Sequence, residues 1–186
     1  YEITSGLVNG RPSRYFKTAP LTLGDLFKAT ASDLPFTVYQ EERETFASIY
    51  AKSSALAHAL KHECKIAKGD RVAIAMRNYP EWIFAYWGVI AVGGVVVGMN
   101  AWWVADEMAY AMSDSEPKLL VADDQRLATF AEIAGDFPDL AVVAVREPSP
   151  AVEAMQWAET VSEPGELPVQ AIDTNDDACI FYTSGT

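Results

Sequence analysis

Short runs of apolar residues alternate along the chain with longer segments in which apolar residues recur every three or four positions. The runs predict strands at residues 36–39, 71–76, 95–97, 118–122, 140–145 and 178–182. The periodic segments predict helices at residues 23–32, 46–64, 80–91, 106–112 and 124–134, with a weaker one at 152–161. Because strands alternate with helices and the strand runs are almost continuously apolar, the pattern predicts an α/β fold with a mainly parallel sheet flanked by helices.

Capping and turn residues mark where several of these elements begin and end. Thr22, followed by Asp25 three residues later, predicts a capped start for the first helix. Thr45 is expected to cap the second helix, and Asn78 the third, which has Pro80 in its first turn. Polar turns are expected at residues 41–43 and 68–70.

The negative charge of the chain argues against some classes of binding partner, nucleic acids first among them. The 186 residues are enough for one domain with a full core, and half of them are hydrophobic. The formal net charge is −12, and residues 127–186 contain eleven acidic residues and one basic residue, Arg146. Such a surface repels phosphate backbones and anionic lipid headgroups, so nucleic-acid binding is not expected. A solvated acidic face that aids solubility is the simpler interpretation.

The cysteines and histidines do not form a metal-binding pattern. Cys64 and Cys179 lie far apart in the sequence, and His58 and His62 are spaced for one helix face but lack a third ligand nearby. We therefore expect a structural or solvent role for the histidines, and reduced thiols in a cytoplasmic protein. The sequence begins at Tyr1 rather than at a methionine, so the native start is undefined, and its first residues show no signal-peptide pattern.

One uncharged stretch is long enough to span a bilayer, the 23 residues from 82 to 104. Four glycines interrupt it, and a run of three valines follows the glycine pair at 93–94. This arrangement favours a helix, a turn and then a buried strand over a membrane-anchored protein. We expect no transmembrane segment.

The last predicted strand leads into four small residues that suit the binding of an anion. They are Thr183, Ser184, Gly185 and Thr186. Glycine lets the backbone turn close to an anion, while hydroxyl and backbone N–H groups donate hydrogen bonds to its oxygens. Ligands of parallel α/β sheets bind at the carboxyl ends of strands, so we predict a phosphate-binding loop at the tip of a buried parallel strand. A polar turn after an edge strand is the alternative for so short a match.

A resemblance to a known superfamily begins in the last eleven residues, 176–186 (DDACIFYTSGT). They resemble the strand and the opening of the phosphate-binding loop in adenylate-forming enzymes, which include acyl-CoA synthetases, luciferases and peptide-synthetase adenylation domains. Three upstream blocks, 69–81, 82–100 and 109–123, resemble consecutive early segments of bacterial fatty-acyl-CoA synthetases, in the family's order and approximate spacing. The resemblance implies that residues 1–186 are part of the large N-terminal, AMP-binding domain of that fold, truncated within the loop.

The resemblance also implies a reaction for the parent protein. In that family a carboxylate attacks the α-phosphorus of ATP to give an acyl-adenylate and pyrophosphate, and the thiol of coenzyme A then takes the acyl group. Thr183, Ser184, Gly185 and Thr186 match the part of the loop that handles the β- and γ-phosphates. Thr183 or Thr186 would contribute a hydroxyl near magnesium. No residue here matches a catalytic position, so we expect the isolated chain to be inactive and to bind neither ATP nor magnesium.

The acid that the parent protein activates is less constrained by the sequence. We expect a medium- or long-chain fatty acid, because of the acyl-CoA-type blocks and the tryptophan pair at 102–103, although these tryptophans would equally suit core packing. An aryl acid is the alternative substrate. A stand-alone α/β ligand-binding module without adenylation activity is the alternative function.

Two further expectations concern charged residues and apolar surface. Arg71, Arg77 and Glu81 lie near predicted strand and helix ends, where charged residues are common, and we interpret them as structural. A truncated sheet would expose apolar surface that the rest of an enzyme normally covers. We therefore expect the isolated chain to self-associate.

Overall fold

A computed structural model describes residues 2–8, 10–149, 151–161, 167–168 and 170–183. Its strands are β1 Ile3–Val8, β2 Arg11–Phe16, β3 Pro35–Tyr39, β4 Glu42–Thr45, β5 Arg71–Ala75, β6 Val95–Gly98, β7 Leu119–Asp123, β8 Ala141–Val145, β9 Met155–Gln156 and β10 Cys179–Phe181. Its α-helices are α1 Leu23–Thr30, α2 Phe46–His62, α3 Pro80–Ala91, α4 Ala105–Ser115, α5 Asp124–Ala131 and α6 Trp157–Thr160, and a 3-10 turn covers Ala134–Asp136.

Six of these strands form one sheet in the order β10-β6-β5-β7-β8-β9. All five neighbouring pairs in this sheet are parallel. Helices connect most of the strands, so each connection crosses over the sheet as parallel pairing requires. The predicted α/β class with a parallel sheet is confirmed.

The core lies on both faces of the sheet, because alternate residues of each central strand point to opposite sides. On one face, Val72 and Ile74 of β5 pack with Leu56 of α2 and Val89 of α3. On the other face, Ala73 and Ala75 pack with residues of α4 and α5 that include Met108, Met112, Leu127 and Phe130. Burial on both faces explains why the strand sequences are almost continuously apolar.

The predicted helix caps hold at two positions and fail at a third. The Thr22 hydroxyl accepts a hydrogen bond from the Asp25 N–H, and the Thr45 hydroxyl accepts one from the Ser48 N–H, both at 3.1 Å. Asn78 was the expected cap of α3, but Tyr79 occupies that position and makes no side-chain capping bond. Pro80 begins the helix as predicted, because its missing N–H would have no intrahelical partner at that position.

The polar turn expected at residues 41–43 is wrong, because residues 42–45 form β4. The chain reverses one residue earlier, and Tyr39 pairs directly with Glu42. Gln40 in this two-residue turn has a φ of 51°, in the left-handed region that a tight hairpin turn requires. Neither turn residue is the glycine or asparagine that normally signals such a turn, so residue pattern alone does not predict it.

Two other regions differ from the prediction. The weaker helix expected at 152–161 is a two-residue strand, β9, followed by the single turn of α6. The hairpin of β1 and β2 was not predicted, and most of its residues are exposed. Without a buried face, these two strands lack the hydrophobic alternation that identifies a half-buried sheet.

The long uncharged stretch at 82–104 is divided among three elements, as predicted. It contributes most of α3, a turn at Gly93 with a φ of 72°, and the buried strand β6. Among the described residues, none of the helices combines the length and the hydropathy needed to cross a membrane.

Candidate functional site at the carboxyl edge of the sheet

The parallel strands end along one edge of the sheet, and Thr183 lies at that edge. Phe181 of β10 lies opposite Gly98 of β6, which in turn lies opposite Ile74 of β5. Thr183 follows Phe181 by two residues and is exposed. It therefore stands beside the segments that follow β6 and β5, where α/β sheets bind their ligands. The other predicted site residues lie outside the described part of the chain: Ser184, Gly185 and Thr186.

The strand that leads to Thr183 is parallel, as predicted, but it is not fully buried. Cys179 and Ile180 are half-buried, and Phe181 is 58% exposed. The reason is topological, because among the described strands β10 pairs only with β6. One face and one edge of β10 are therefore less covered than those of the central strands.

Tyr182, directly before Thr183, ties the end of β10 to α4. Its hydroxyl donates a hydrogen bond to Oδ2 of Asp114 at 2.7 Å and lies 3.2 Å from the carbonyl oxygen of Ala111. The Trp103 ring meets the Tyr182 ring edge to face, with centroids 5.7 Å apart. Partial burial and the hydrogen bond to the Asp114 carboxylate raise the pKa of Tyr182 above its usual value of 10, so its hydroxyl remains a donor at neutral pH.

A buried ion pair joins the ends of three central strands. Asp123, the last residue of β7, and Arg126 in α5 lie 3.2 Å apart with side chains that are 2% and 7% exposed. The Asp123 carboxylate also accepts hydrogen bonds from the N–H groups of Arg77, after β5, and of Arg126, each at 3.0 Å. Arg126 donates through Nε to the carbonyl oxygen of Ala101, after β6, at 2.7 Å. One carboxylate and one guanidinium thus fix three adjacent loops.

The two tryptophans after β6 have different environments. Trp102 is 75% exposed, and the guanidinium groups of Arg77 and Arg126 lie 5.2 Å and 5.9 Å from its ring centroid. Trp103 is half-buried and faces Tyr182. Neither is a buried core residue, and each helps to hold the edge that carries Thr183.

Arg146 organises the far end of the same edge, where β8 ends. Its guanidinium makes two hydrogen bonds to Glu42, at 3.0 Å and 3.1 Å, and two to Glu81, at 3.0 Å and 3.2 Å. It also lies 5.0 Å and 4.7 Å from the ring centroids of Tyr39 and Tyr79. This cluster connects the β3–β4 hairpin to the start of α3. Glu81 therefore has a structural contact, in line with its interpretation from sequence.

The described residues of the carboxyl edge do not build a complete magnesium site. Magnesium in phosphate-transfer sites is commonly held by substrate phosphates and a few protein oxygens. The nearby carboxylates of Asp114 and Asp123 are already engaged by Tyr182 and Arg126. Across the described ranges, no three His, Cys, Asp or Glu side chains gather closely enough to hold a metal ion.

The cysteines and histidines lie away from this edge. The Cys64 and Cys179 thiols are free, and burial raises the pKa of Cys64 above its usual value, which lowers its reactivity. His58 and His62 lie side by side on α2, with ring centroids 4.4 Å apart.

A cavity of about 380 Å³ opens at the opposite, amino-terminal edge of the sheet. Leu23 of α1, Gly93 and Ala178 line it, together with Asp173 and Asp176. Carboxylates repel phosphate groups, and the central sheet reaches this cavity through Gly94 and Ala178, which directly precede β6 and β10. The cavity therefore does not compete with the carboxyl edge as a phosphate site.

No role at this edge was assigned from the sequence to Tyr182, Asp123 or Arg126. A weak signal was present for the ion pair, since Asp123 ends an apolar run directly before a predicted helix and Arg126 follows it by three residues. Tyr182 and Asp114 are 68 residues apart, and only the order of strands in the sheet brings them together.

Comparison with known proteins shows which family the chain resembles. The AMP-binding enzyme family matches residues 27–186 of the chain. A crotonobetaine/carnitine–CoA ligase of Salmonella paratyphi A is 33% identical over 138 residues, which are 68% of this chain and 26% of that protein. A 2-succinylbenzoate–CoA ligase of Bacillus velezensis is 30% identical over 150 residues, which are 80% of this chain and 28% of that protein.

The fold is also found in a solved structure, that of an anthranilate CoA ligase in complex with anthranoyl-AMP. The two superimpose with a TM-score of 0.82 at 20% identity, over 90% of this chain and 33% of the ligase. The chain thus spans about a quarter of the length of the curated relatives it matches. By its family match and its fold, the chain belongs to the AMP-binding enzyme family.

Proposed function

We propose that the chain is the amino-terminal part of an AMP-forming acid–thiol ligase, which joins a carboxylic acid to coenzyme A at the expense of ATP. One observation carries the proposal: Thr183 emerges at the carboxyl end of β10, parallel to β6, in a chain that matches the AMP-binding family up to residue 186. Both curated relatives described above are CoA ligases by name. Residues 1–186 would then be part of the nucleotide-binding domain.

The proposed reaction has two steps that balance. A carboxylate oxygen of the acid attacks the α-phosphorus of ATP, the α–β phosphoanhydride bond breaks, and pyrophosphate leaves. The thiolate of coenzyme A then attacks the acyl carbon, and AMP leaves with the electrons of the broken acyl–oxygen bond. Both steps bring anions together, so the site must supply positive charge and hydrogen-bond donors.

This chain contributes to the first step through residues 183–186. The Thr183 hydroxyl would donate a hydrogen bond to an oxygen of the β- or γ-phosphate, and the hydroxyl and N–H groups of the three following residues would complete that contact. Magnesium bound to the triphosphate would offset its negative charge. The ion pair of Asp123 and Arg126 keeps the neighbouring loops in place through its hydrogen bonds to Arg77 and Ala101.

The acid substrate that we propose is a medium- or long-chain fatty acid. Its support is the likeness of three blocks, 69–81, 82–100 and 109–123, to fatty-acyl-CoA synthetases. An aryl acid is the second candidate, because two of the compared ligases act on aromatic acids by name, 2-succinylbenzoate and anthranilate.

Acid-dependent exchange of labelled pyrophosphate into ATP by the full-length protein tests the reaction and the substrate together. A panel should contain octanoate, palmitate, benzoate, anthranilate and a no-acid control. We expect exchange with the fatty acids well above the control. Exchange with the aromatic acids alone would select the second candidate, and no exchange with any acid would remove the proposed activity.

A matched pair of variants tests the site within the same assay. Thr183→Val removes the hydroxyl at nearly constant shape, while Thr183→Ser keeps it. We expect Thr183→Val to raise the KM for ATP about tenfold, roughly the effect of one lost charge-assisted hydrogen bond. Thr183→Ser should stay close to the unchanged protein, and equal KM values for both variants would show that the hydroxyl does not contact ATP.

A further inference from the structure

The sheet alone does not fix the direction in which the chain leaves β10. This strand has three residues, and its described ladder runs along one neighbour, β6, ending at the pair of Phe181 and Gly98. Phe181 is largely exposed. Whatever determines the position of Thr183 must therefore act after the ladder ends.

Tyr182 is the residue between the ladder and Thr183, and its side chain reaches across to α4. Its hydroxyl donates to Asp114 at 2.7 Å and lies close to the Ala111 carbonyl oxygen, at 3.2 Å. A ring with two rotatable bonds that is held at its far end constrains the backbone at its near end. Trp103 contacts the ring edge to face, which limits its rotation.

The helix that receives this contact is itself firmly placed. Its inward residues Met108, Ala111 and Met112 are fully buried in the core beneath the sheet. At its carboxyl end, Nε of Arg71 donates to the carbonyl oxygen of Ser115, and this contact connects α4 to the start of β5. α4 is thus a rigid reference from which a side chain can fix the exit of β10.

We propose that Tyr182, anchored to Asp114, is a positioning residue that sets where the phosphate-binding segment starting at Thr183 stands relative to the sheet. This inference rests on the proposed function and deepens it. It adds a residue outside the phosphate-binding segment, Tyr182, that would control the contact with the outer phosphates. Tyr182 acts through Thr183 and does not touch the nucleotide.

The consequence for catalysis follows from geometry. Loss of the anchor lets the segment after Phe181 take other directions. The binding of ATP must then order this segment, and the conformational entropy that is lost reduces the free energy of binding. Such a cost weakens binding of ATP and leaves binding of the acid unchanged. A segment that is bound but displaced also lowers the rate of the chemical step.

The test uses the full-length protein and two pairs of variants. Tyr182→Phe keeps the ring and removes the hydroxyl. Tyr110→Phe is its control, because it makes the same change in a neighbouring tyrosine of α4, whose ring centroid lies 6.4 Å from that of Tyr182. Asp114→Ala removes the acceptor, and Asp114→Asn keeps an acceptor oxygen. The measurements are the KM for ATP, the KM for the acid, and kcat in pyrophosphate exchange.

We expect Tyr182→Phe to raise the KM for ATP five- to tenfold with little change in the KM for the acid. Asp114→Ala should act in the same direction but less strongly, because the Ala111 carbonyl remains near the hydroxyl. Asp114→Asn and Tyr110→Phe should resemble the unchanged protein. A KM for ATP that is the same in Tyr182→Phe and the unchanged protein would overturn the inference.

Hydrogen exchange of the backbone amides after Phe181 separates this inference from the proposed function. If the unchanged protein catalyses no pyrophosphate exchange with any acid, the proposed activity is wrong. The anchor at Tyr182 still predicts faster hydrogen exchange of the amides after residue 181 in Tyr182→Phe than in Tyr110→Phe. Equal amide exchange in these two variants would overturn the anchor irrespective of activity.

Discussion

At the scale of single residues, the carboxyl edge depends on charges that are removed from water and then fully paired. Asp123 and Arg126 are almost completely buried, and together they make hydrogen bonds to the backbone of Arg77 and Ala101. A buried ion pair of this kind adds little net stability compared with a well-packed apolar pair. Its effect is on position, since three loops share one pair of charges.

Removal of one charge tests this account. Arg126→Met leaves the Asp123 carboxylate buried without its counter-ion, and we expect a loss of about 3–5 kcal/mol in the free energy of unfolding. Urea unfolding of the chain measures it. The double variant Asp123→Asn with Arg126→Met should lose clearly less than the sum of the two single changes.

The matched control for that experiment is an exposed ion pair. Lys17 and Glu2 lie 3.4 Å apart with side chains that are 58% and 63% exposed. Lys17→Met should change the free energy of unfolding by less than about 1 kcal/mol, since water screens such pairs. A similar loss for Lys17→Met and Arg126→Met would contradict the special role of the buried pair.

At the scale of elements, the close approach of α2 and α3 supports one face of the sheet. Gly88 of α3 faces Leu56 of α2, and a Cβ at Gly88 would lie 2.9 Å from Cδ2 and 3.3 Å from Cβ of Leu56. The whole Leu56 side chain is therefore in the way, and Leu56 is fully buried. Glycine is tolerated inside this helix because it allows the two helices to pack.

Enlargement of Gly88 should separate these helices. We expect Gly88→Val to lower the free energy of unfolding by about 1–3 kcal/mol, because overpacking outweighs the better helix propensity of valine. Thermal unfolding followed by circular dichroism reports the change. Gly24→Val in α1 is the control, since among the described residues, the helix's own backbone aside, a Cβ at Gly24 would have only Thr22 Oγ1 within 4 Å, at 3.8 Å. Equal unfolding temperatures for the two variants would contradict the packing account.

The elements also show which parts of the fold a sequence can predict. The central strands were predicted because two-sided burial makes their interior residues continuously apolar, as at 72–76 and 119–122. Of the hairpin of β3 and β4, the sequence pattern predicted β3 but missed β4, because β4 is mainly charged and the turn before it lacks glycine. Thr183 was placed correctly at a strand tip, whereas the anchor at Tyr182 depends on strand order, which local patterns do not encode.

At the scale of the whole molecule, charge and apolar surface are distributed unevenly. The formal charge of −12 is concentrated in the last third of the chain. Large apolar side chains are exposed at separate places, among them Leu7, Leu21, Leu34 and Phe181, which are 58% to 78% exposed. Self-association of the isolated chain remains a prediction, and these side chains are the surfaces through which it would occur.

The pairing of β10 with β6 has a consequence for biosynthesis. Phe181 meets Gly98 across more than eighty intervening residues, about half of which build the helices and strands between them. On the ribosome, β5 to β8 are made before β10 and can therefore assemble first. We expect a chain that stops at residue 161 to unfold cooperatively on heating, at a lower temperature than the longer chain, and a non-cooperative melt would contradict this order. A nascent chain would thus acquire this scaffold before β10, the strand that leads to the proposed phosphate contact.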